Sequence, residues 1–237
     1  ARYIGILGLL VALCVSFSPE LAFFNQYKSM FDFNENAALF TKISLVVTLL
    51  IFFLGGFAFN NHRNHQSELY SLMLFSLIGA VILFSFTNLV TLFLGIEILS
   101  IPLYVMAGSN KTDLRSNEAS IKYFLMGAFA TGFLLFGIAL IYGSTGSFDV
   151  HVINTFSVAN PKDLMFVMGI MLMLVAMAFK VSLAPFHMWS PDVYQGAPSL
   201  ITAFMASVVK IAAFFAFFKV MNLAFAGSIK EWINILG

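Results

Sequence analysis

Charged side chains are scarce in this chain: Asp, Glu, Lys and Arg make up 10% of its 237 residues, against roughly 25% in ordinary soluble domains. Hydrophobic residues account for 60% and aromatic residues for 16%. So little polar surface cannot cover a water-soluble globule, and lipid must be the main solvent. The formal net charge is +1 and no basic run occurs, so nucleic acid is not a predicted partner.

Cysteine and the common catalytic motifs are also missing. Cys14 is the single cysteine, which excludes an internal disulfide, a Cys-rich metal site and an iron–sulfur cluster held by this chain alone. The sequence has no GxGxxG or Walker loop. The pair His62 and His65 has ligand spacing but no third zinc ligand nearby. We therefore predict that the chain binds no metal and no cofactor.

Long apolar runs dominate what is present. A helix needs about 20 apolar residues to cross about 30 Å of hydrocarbon, and these runs are too long for barrel strands. The pattern predicts an all-α, polytopic transmembrane helical bundle with about seven spans. They are Tyr3 to Phe17, Leu39 to Phe59, Leu69 to Phe86, Leu89 to Gly108, Ala119 to Tyr142, Leu164 to Ser182 and Pro198 to Leu223.

Positive charge gives only weak evidence on orientation. Basic residues divide evenly between the two sides, with Arg63 on one side and Lys28 on the other among them. The longer loops, Ser18 to Ala37 and Ser144 to Asp163, hold most of the acids. On this ground we place the loop of Lys111 and Arg115 in the cytoplasm.

Three ionisable residues lie within predicted spans: Glu97, Lys180 and Lys210. A charge at mid-bilayer costs at least about 2.5 to 3.5 kcal/mol, so each should face protein or water. Two structural alternatives stay open: Lys180 could snorkel from its span end, and Glu97 could make only a hydrogen bond to a neighbouring helix. Lys210 is too deep to snorkel. Lys42 and Lys219, near span ends, are predicted to be snorkelling anchors.

A helix break is predicted beside Lys180. Pro185 forbids a regular helix through residues 181 to 185, and Ser182 can hydrogen-bond the freed carbonyls. Broken helices line water-filled cavities, although Pro185 could also mark only the start of a loop. Low-dielectric surroundings disfavour a charged lysine and a nearby carboxylate restores it, so a buried Glu and Lys can act as a proton switch.

The segment Phe179 to Pro198, FKVSLAPFHMWSPDVYQGAP, closely resembles the signature of the antiporter-like membrane subunits of respiratory complex I. Three further segments agree: Leu92 to Tyr104, Glu118 to Phe124 and Ala206 to Ala212. Within these subunits, the loop that ends VYQGAP favours the subunit N family over its L and M relatives. The resemblance extends from about Leu69 to Val220.

The resemblance implies a subunit of about fourteen helices with two inverted repeats, of which this chain holds the first half. On that basis we divide the chain into N-terminal helices (1–68), an antiporter-like proton-translocation repeat (69–223) and a loop towards a second repeat (224–237). By matching position, Glu97 is expected to pair with Lys180, and Lys210 to be the central proton relay. The expected accessory residues are His187, Lys122 and Asp192, and Lys122 is also expected to pair with Glu118.

The resemblance further implies a subunit of a proton-translocating NADH:quinone oxidoreductase in the bacterial plasma membrane. Its partners would be lipid and the other membrane subunits, while NADH, FMN, iron–sulfur clusters and quinone would bind to other subunits. Three alternatives remain at this point: a cation/proton antiporter subunit of the Mrp type, a related membrane hydrogenase subunit, and a structural scaffold whose buried charges are dispensable.

Overall fold

The computed structural model describes residues 2–17, 29–58 and 66–236. Within these ranges the backbone is almost entirely helical, and its extended pairing is confined to two isolated bridges. The helices are α1 (Arg2–Val15), α2 (Glu35–Ala58), α3 (Gln66–Ser85), α4 (Leu89–Ala107), α5 (Leu114–Thr145), α6 (Val150–Ala159), α7 (Leu164–Val181), α8 (Trp189–Gly196), α9 (Ser199–Phe204), α10 (Lys210–Lys219) and α11 (Ile229–Leu236). Two π-helical segments, Met205–Val209 and Val220–Ala224, flank α10.

Six helical segments of the described residues are long and apolar enough to cross a membrane. They are Glu35–Gly55, Gln66–Ser85, Leu89–Ala107, Leu114–Thr145, Leu164–Val181 and Ser199–Ala224. The first predicted span, Tyr3 to Phe17, corresponds to the 14-residue helix α1. At 1.5 Å per residue α1 is about 21 Å long, short of the hydrocarbon thickness.

Two predicted loops are partly helical. The loop Ser144 to Asp163 contains α6, whose N-terminus is capped by the Asp149 side chain. The segment 224–237, predicted to be a loop, contains a short 3₁₀ turn and α11. The fifth span also begins earlier than predicted, at Leu114, because the Asp113 carboxylate caps it by accepting from the Arg115 backbone N–H.

The outer faces of the helices carry large apolar side chains that are at least half exposed. Soluble proteins rarely show such continuous apolar surface, so these faces are suited to lipid. Examples on five different helices are Phe53, Phe75, Phe129, Met168 and Phe218.

Close helix packing places the site residues on α4, α5 and α7. A Cβ on Gly79 of α3 would come within 2.9 Å of the Gly95 carbonyl oxygen on α4. A Cβ on Gly137 of α5 would meet the Gly169 carbonyl oxygen of α7 at 2.9 Å. Only glycine permits such approach, and the Ser76 hydroxyl adds a hydrogen bond across α3 and α4 to the Leu99 carbonyl at 2.8 Å.

The connection between α3 and α4, residues 85–88, is held from both sides; we call it the α3–α4 turn. On one side the Asp32 N–H donates to the Ser85 carbonyl at 2.6 Å. On the other side the Val150 N–H donates to the Thr87 carbonyl at 3.0 Å. The α3–α4 turn is therefore tied to two other parts of the chain. His62 and His65 lie outside the described residues, as do Arg63 and Lys28.

Candidate functional site

The helix break predicted beside Lys180 is present. Helix α7 ends at Val181, and Ser182 adopts the left-handed conformation, with φ of 61°. Backbone N–H groups of Ser182 and Leu183 cap the last carbonyls of α7 at 3.1 and 2.9 Å. Pro185 lies in the non-helical segment that follows, and its side chain is exposed. The break thus leaves Lys180 one residue before the end of a membrane-spanning helix.

Trp189, the first residue of α8, folds back on the break. Its Nε1–H donates to the Phe179 carbonyl at 3.1 Å. Its indole stacks on the Tyr123 ring of α5 with a centroid distance of 4.7 Å and an interplanar angle of 6°. Since Trp189 is 3% exposed, these contacts hold the connection between α7 and α8 firmly against α5.

Lys180 reaches across to helix α4. Its Nζ donates to the Ser100 hydroxyl at 2.9 Å and to the Tyr104 hydroxyl at 3.2 Å. Both partners are neutral, and the lysine is half-buried. These hydrogen bonds hold the ammonium but do not neutralise its charge. The stability of the charged form therefore depends on other charges nearby.

Glu97 lies one turn before Ser100 on the same face of α4. Its Oε1 accepts a 2.7 Å hydrogen bond from the Thr131 hydroxyl of α5. Within the described ranges no ion pair shorter than 4.0 Å joins Glu97 to Lys180. The direct pairing expected from the resemblance is therefore absent here, because the two side chains bind different hydroxyl groups.

Lys210 begins α10, directly after the π-helical segment Met205–Val209. Its Nζ donates to the Ser182 hydroxyl at 2.6 Å and, more weakly, to the Lys180 carbonyl oxygen at 3.4 Å. The ammonium also lies 5.2 Å from the Trp189 ring and 5.9 Å from the Tyr194 ring. The structure thus brings Lys180, Ser182 and Lys210 together at the break.

Tyr194 is the one of these aromatic partners that can ionise. Burial raises the pKa of Tyr194, in α8, to about 12. Its phenol therefore stays neutral at physiological pH and contributes to the Lys210 site through its ring.

The accessory residues divide into two groups. Lys122 donates to Glu118 and Asp192 at 2.6 Å each, so its predicted pairing with Glu118 is confirmed. Because Asp192 belongs to α8, Lys122 links α8 to α5 at the protein surface. His187 has an exposed side chain, and its main-chain carbonyl accepts a hydrogen bond from the Ser190 N–H at 3.0 Å.

Sequence reasoning missed several partners of the buried charges. Ser100 and Tyr104 follow Glu97 by three and seven residues, a spacing that places all of them on one helix face. That spacing was a usable signal. Thr131 and Tyr194 gave none, because their proximity to Glu97 and Lys210 depends on how the helices pack.

Lys219 differs from its predicted role. It is 8% exposed and donates to the Phe84 carbonyl at 3.2 Å, so it is a buried lysine rather than a snorkelling anchor. The prediction was wrong because the α3–α4 turn covers this end of α10.

In the described part of the chain, no group of three or more His, Cys, Asp or Glu side chains could hold a metal ion.

Comparisons with known proteins bear on what this site can do. The family model described as the transmembrane region of NADH:quinone oxidoreductase and Mrp antiporters matches residues 85–237. NADH-quinone oxidoreductase subunit N of Cytophaga hutchinsonii is 46% identical over 224 residues, which cover 94% of this chain and 47% of the relative. The corresponding subunit of Trichlorobacter lovleyi is 40% identical over 237 residues, 98% of this chain and 48% of the relative.

Solved structures give a parallel result. A chain of respiratory complex I from Thermus thermophilus is 34% identical, with a TM-score of 0.71 over 91% of this chain and 46% of that one. A chain of the Mrp complex from Dietzia is 19% identical, with a TM-score of 0.80 over 99% of this chain and 46% of that one, and it shares the fold. The chain thus spans about half the length of the relatives it matches.

Proposed function

Because the chain belongs to the NADH:quinone oxidoreductase/Mrp antiporter transmembrane family, we propose that it is part of a proton-translocating subunit N. In this proposal the buried residues Glu97, Lys180 and Lys210 carry protons through the first half of the subunit. Electron transfer from NADH to quinone would take place in other subunits and drive the changes of protonation. Relatives named subunit N, at 40% and 46% identity, support this assignment.

The observation that carries the proposal is the contact of Lys210 with the end of α7. Its Nζ binds Ser182 and the Lys180 carbonyl, so two buried lysines share one helix break. Two like charges in one site of low effective dielectric constant repel each other. A proton on one lysine therefore favours release of a proton from the other, which is the behaviour a relay requires.

Glu97 supplies the opposite charge on α4. When ionised it favours a charged Lys180, and when it moves away or takes up a proton that support is lost. Ser100 lies one turn from Glu97 on α4 and accepts a hydrogen bond from Lys180. A small rotation of either side chain could therefore change which of the two charged groups interact.

The partners follow from the same assignment. The chain would assemble with the other membrane subunits of the complex in a bacterial plasma membrane, with its apolar outer faces against lipid or neighbouring subunits. NADH, FMN, iron–sulfur clusters and quinone would all bind elsewhere in the complex. We also keep the division into residues 1–68, 69–223 and 224–237 as part of this proposal.

An Mrp-type antiporter subunit is the second candidate, favoured by the TM-score of 0.80 with the Dietzia complex. That likeness rests on 19% identity and so concerns the fold. The two functions differ in their ion: an antiporter would exchange protons for a cation such as Na⁺ without NADH. Proton uptake driven by a Na⁺ gradient, with no effect of NADH, would favour the antiporter.

The test places Lys210→Ala and Glu97→Gln in a full-length homologous subunit, within the assembled enzyme in proteoliposomes. NADH oxidation and NADH-driven acidification are measured together, after assembly is checked by subunit content. We expect both variants to lower proton translocation, with the larger loss for Lys210→Ala. Unchanged translocation at equal assembly in both variants would reject the relay and support a structural role.

A further inference from the structure

Lys219 is the more deeply buried of the two lysines in α10, and the proposed relay does not use it. Its ammonium donates to the Phe84 carbonyl near the C-terminus of α3 and lies 4.6 Å from the Phe86 ring. A cation is favoured at a helix C-terminus. The Asp32 carboxylate, whose side chain is exposed, also attracts it. Lys219 is therefore a buried cation attracted by an acid that is exposed at the protein surface.

Lys219 follows Lys210 at the opposite end of α10. Nine residues correspond to about 13.5 Å along a helix and to about half a turn of rotation beyond two full turns. The two lysines thus lie at different depths and face different helices. Lys210 faces the break after α7, and Lys219 faces the end of α3.

Phe215 lies between these two lysines along α10 and packs against two further phenylalanine rings. Phe215 lies 4.8 Å from Phe40 and 5.3 Å from Phe84, and Phe40 lies 5.9 Å from Phe84, all between ring centroids. Phe84 is fully buried, and its carbonyl is the one that binds Lys219. We call this cluster of Phe40, Phe84 and Phe215 the aromatic plug.

The other side of the aromatic plug faces Lys210. A cavity of about 670 Å³ is lined by Lys210 together with Asn36, Phe40 and Phe215. Two rings of the plug therefore form part of the wall beside the central lysine, while the third contacts the Lys219 site through its backbone.

We propose that the aromatic plug is a closed hydrophobic gate between the Lys210 cavity and a second proton site formed by Lys219 and Asp32. This proposal rests on the proton-relay function proposed above. A ring of apolar side chains excludes water by dewetting, and without water protons cannot pass. With the gate closed, protons at Lys210 cannot escape towards the α3–α4 turn.

The chemistry of the second site is a simple proton transfer. The Lys219 ammonium first gives up a proton, as an N–H bond breaks and an O–H bond forms on the Asp32 carboxylate or on water beside it. If the gate admitted water, the neutral amine would then take a proton from the Lys210 cavity through that water and form a new N–H bond. Lys219 thus forms the far side of a short route across the plug.

The test measures passive proton leak, so it does not depend on turnover. Phe215→Ser is placed in a full-length homologous subunit, and the assembled enzyme is reconstituted in vesicles with an imposed membrane potential and no NADH. We expect the leak to rise at least roughly tenfold, equivalent to about 1.4 kcal/mol of barrier. Adding Lys219→Met to Phe215→Ser should return the leak towards the wild-type rate, because the acceptor beyond the gate is lost.

Phe218→Ser is the matched control. Phe218 lies on the same helix and lines the same cavity, but it is 69% exposed and outside the aromatic plug. It should leave the leak unchanged. Phe40→Leu is a second variant that removes a ring from the aromatic plug. It is used if the enzyme carrying Phe215→Ser does not assemble.

The outcomes separate this proposal from the relay. A wild-type leak in both Phe215→Ser and Phe40→Leu would overturn the gate even if Lys210→Ala abolishes pumping. A raised leak that Lys219→Met does not reduce would overturn the second proton site. Normal pumping in both Lys210→Ala and Glu97→Gln would instead reject the relay, whatever the leak measurements show.

Discussion

Lys210 donates from its Nζ to the main-chain carbonyl oxygen of Lys180, at 3.4 Å, and so touches the residue that carries the other buried lysine side chain. The Lys180 ammonium itself points elsewhere, to hydroxyl groups on α4. The Lys210 side chain therefore binds the C-terminus of α7, while the Lys180 side chain extends from it to α4. A cation is stabilised at this end of a helix, so the charge on Lys210 and the geometry of the break are coupled.

Removing the Ser182 hydroxyl should impair proton translocation. Ser182→Gly deletes the acceptor that lies 2.6 Å from the Lys210 Nζ while it keeps the left-handed backbone easy to form. A hydrogen bond to a charged group contributes about 1.5 to 3 kcal/mol, so losing it should shift the protonation equilibrium of Lys210 at least roughly tenfold. Translocation should be impaired as a result, and this is measured as a lower ratio of protons moved to NADH oxidised. A wild-type ratio in Ser182→Gly would refute the role of this hydroxyl.

Moving the Tyr104 hydroxyl away from Lys180 should lower NADH-driven acidification. A Cβ on Gly127 would collide with that hydroxyl, so Gly127→Ala should displace it, and Tyr104→Phe removes it. Both variants should lower NADH-driven acidification by a similar factor. Gly132→Ala is the control, because nothing lies within 4 Å of its Cβ position on the same helix. Equal activity in Gly127→Ala and Gly132→Ala would contradict the prediction.

The Thr131 hydroxyl should fix the orientation of Glu97. Thr131→Val has nearly the same shape but cannot donate to the Glu97 carboxylate, whereas Thr131→Ser can. We expect slower proton translocation in Thr131→Val and a rate near wild type in Thr131→Ser. The comparison is made by acidification assays on vesicles with equal NADH oxidation. If the two variants behave alike, the hydrogen bond is dispensable.

Trp189→Phe should loosen the break after α7. It removes the donor to the Phe179 carbonyl, and leaving a buried carbonyl unpaired costs about 1 to 3 kcal/mol. Hydrogen exchange of the amides at residues 182 and 183 should become faster. Trp232→Phe is a matched control, because Trp232 makes the same kind of hydrogen bond, to the Phe225 carbonyl at 3.0 Å. Trp232 lies on α11 and not at the break that Lys180 and Lys210 share. Only Trp189→Phe should also reduce pumping, and equal losses in both would point to a general loss of stability.

The sequence predicted the helices well where hydropathy alone decides. Six of the seven predicted spans are confirmed, because lipid requires long apolar helices. Helix α6 was missed because it is short and flanked by polar residues. The burial of Lys219 was missed because distance from a span end says nothing about which loop covers that end.

The buried charges were found from the sequence, but their partners were not. Glu97, Lys180 and Lys210 stand out as ionisable residues in apolar runs, and Pro185 marks the break. The hydroxyl groups that hold these charges are ordinary in composition. Their roles arise from α4, α5 and α7 packing closely, which no local pattern encodes.

The π-helical segment Met205–Val209 ends directly before Lys210. Each residue added to or removed from a helix rotates everything beyond it by about 100°. A one-residue deletion in 205–209 would therefore turn Lys210 away from Ser182 without changing any residue that touches it. This stretch should tolerate substitutions among apolar residues far better than any change in its length, and related chains should differ there in residue type but not in residue number.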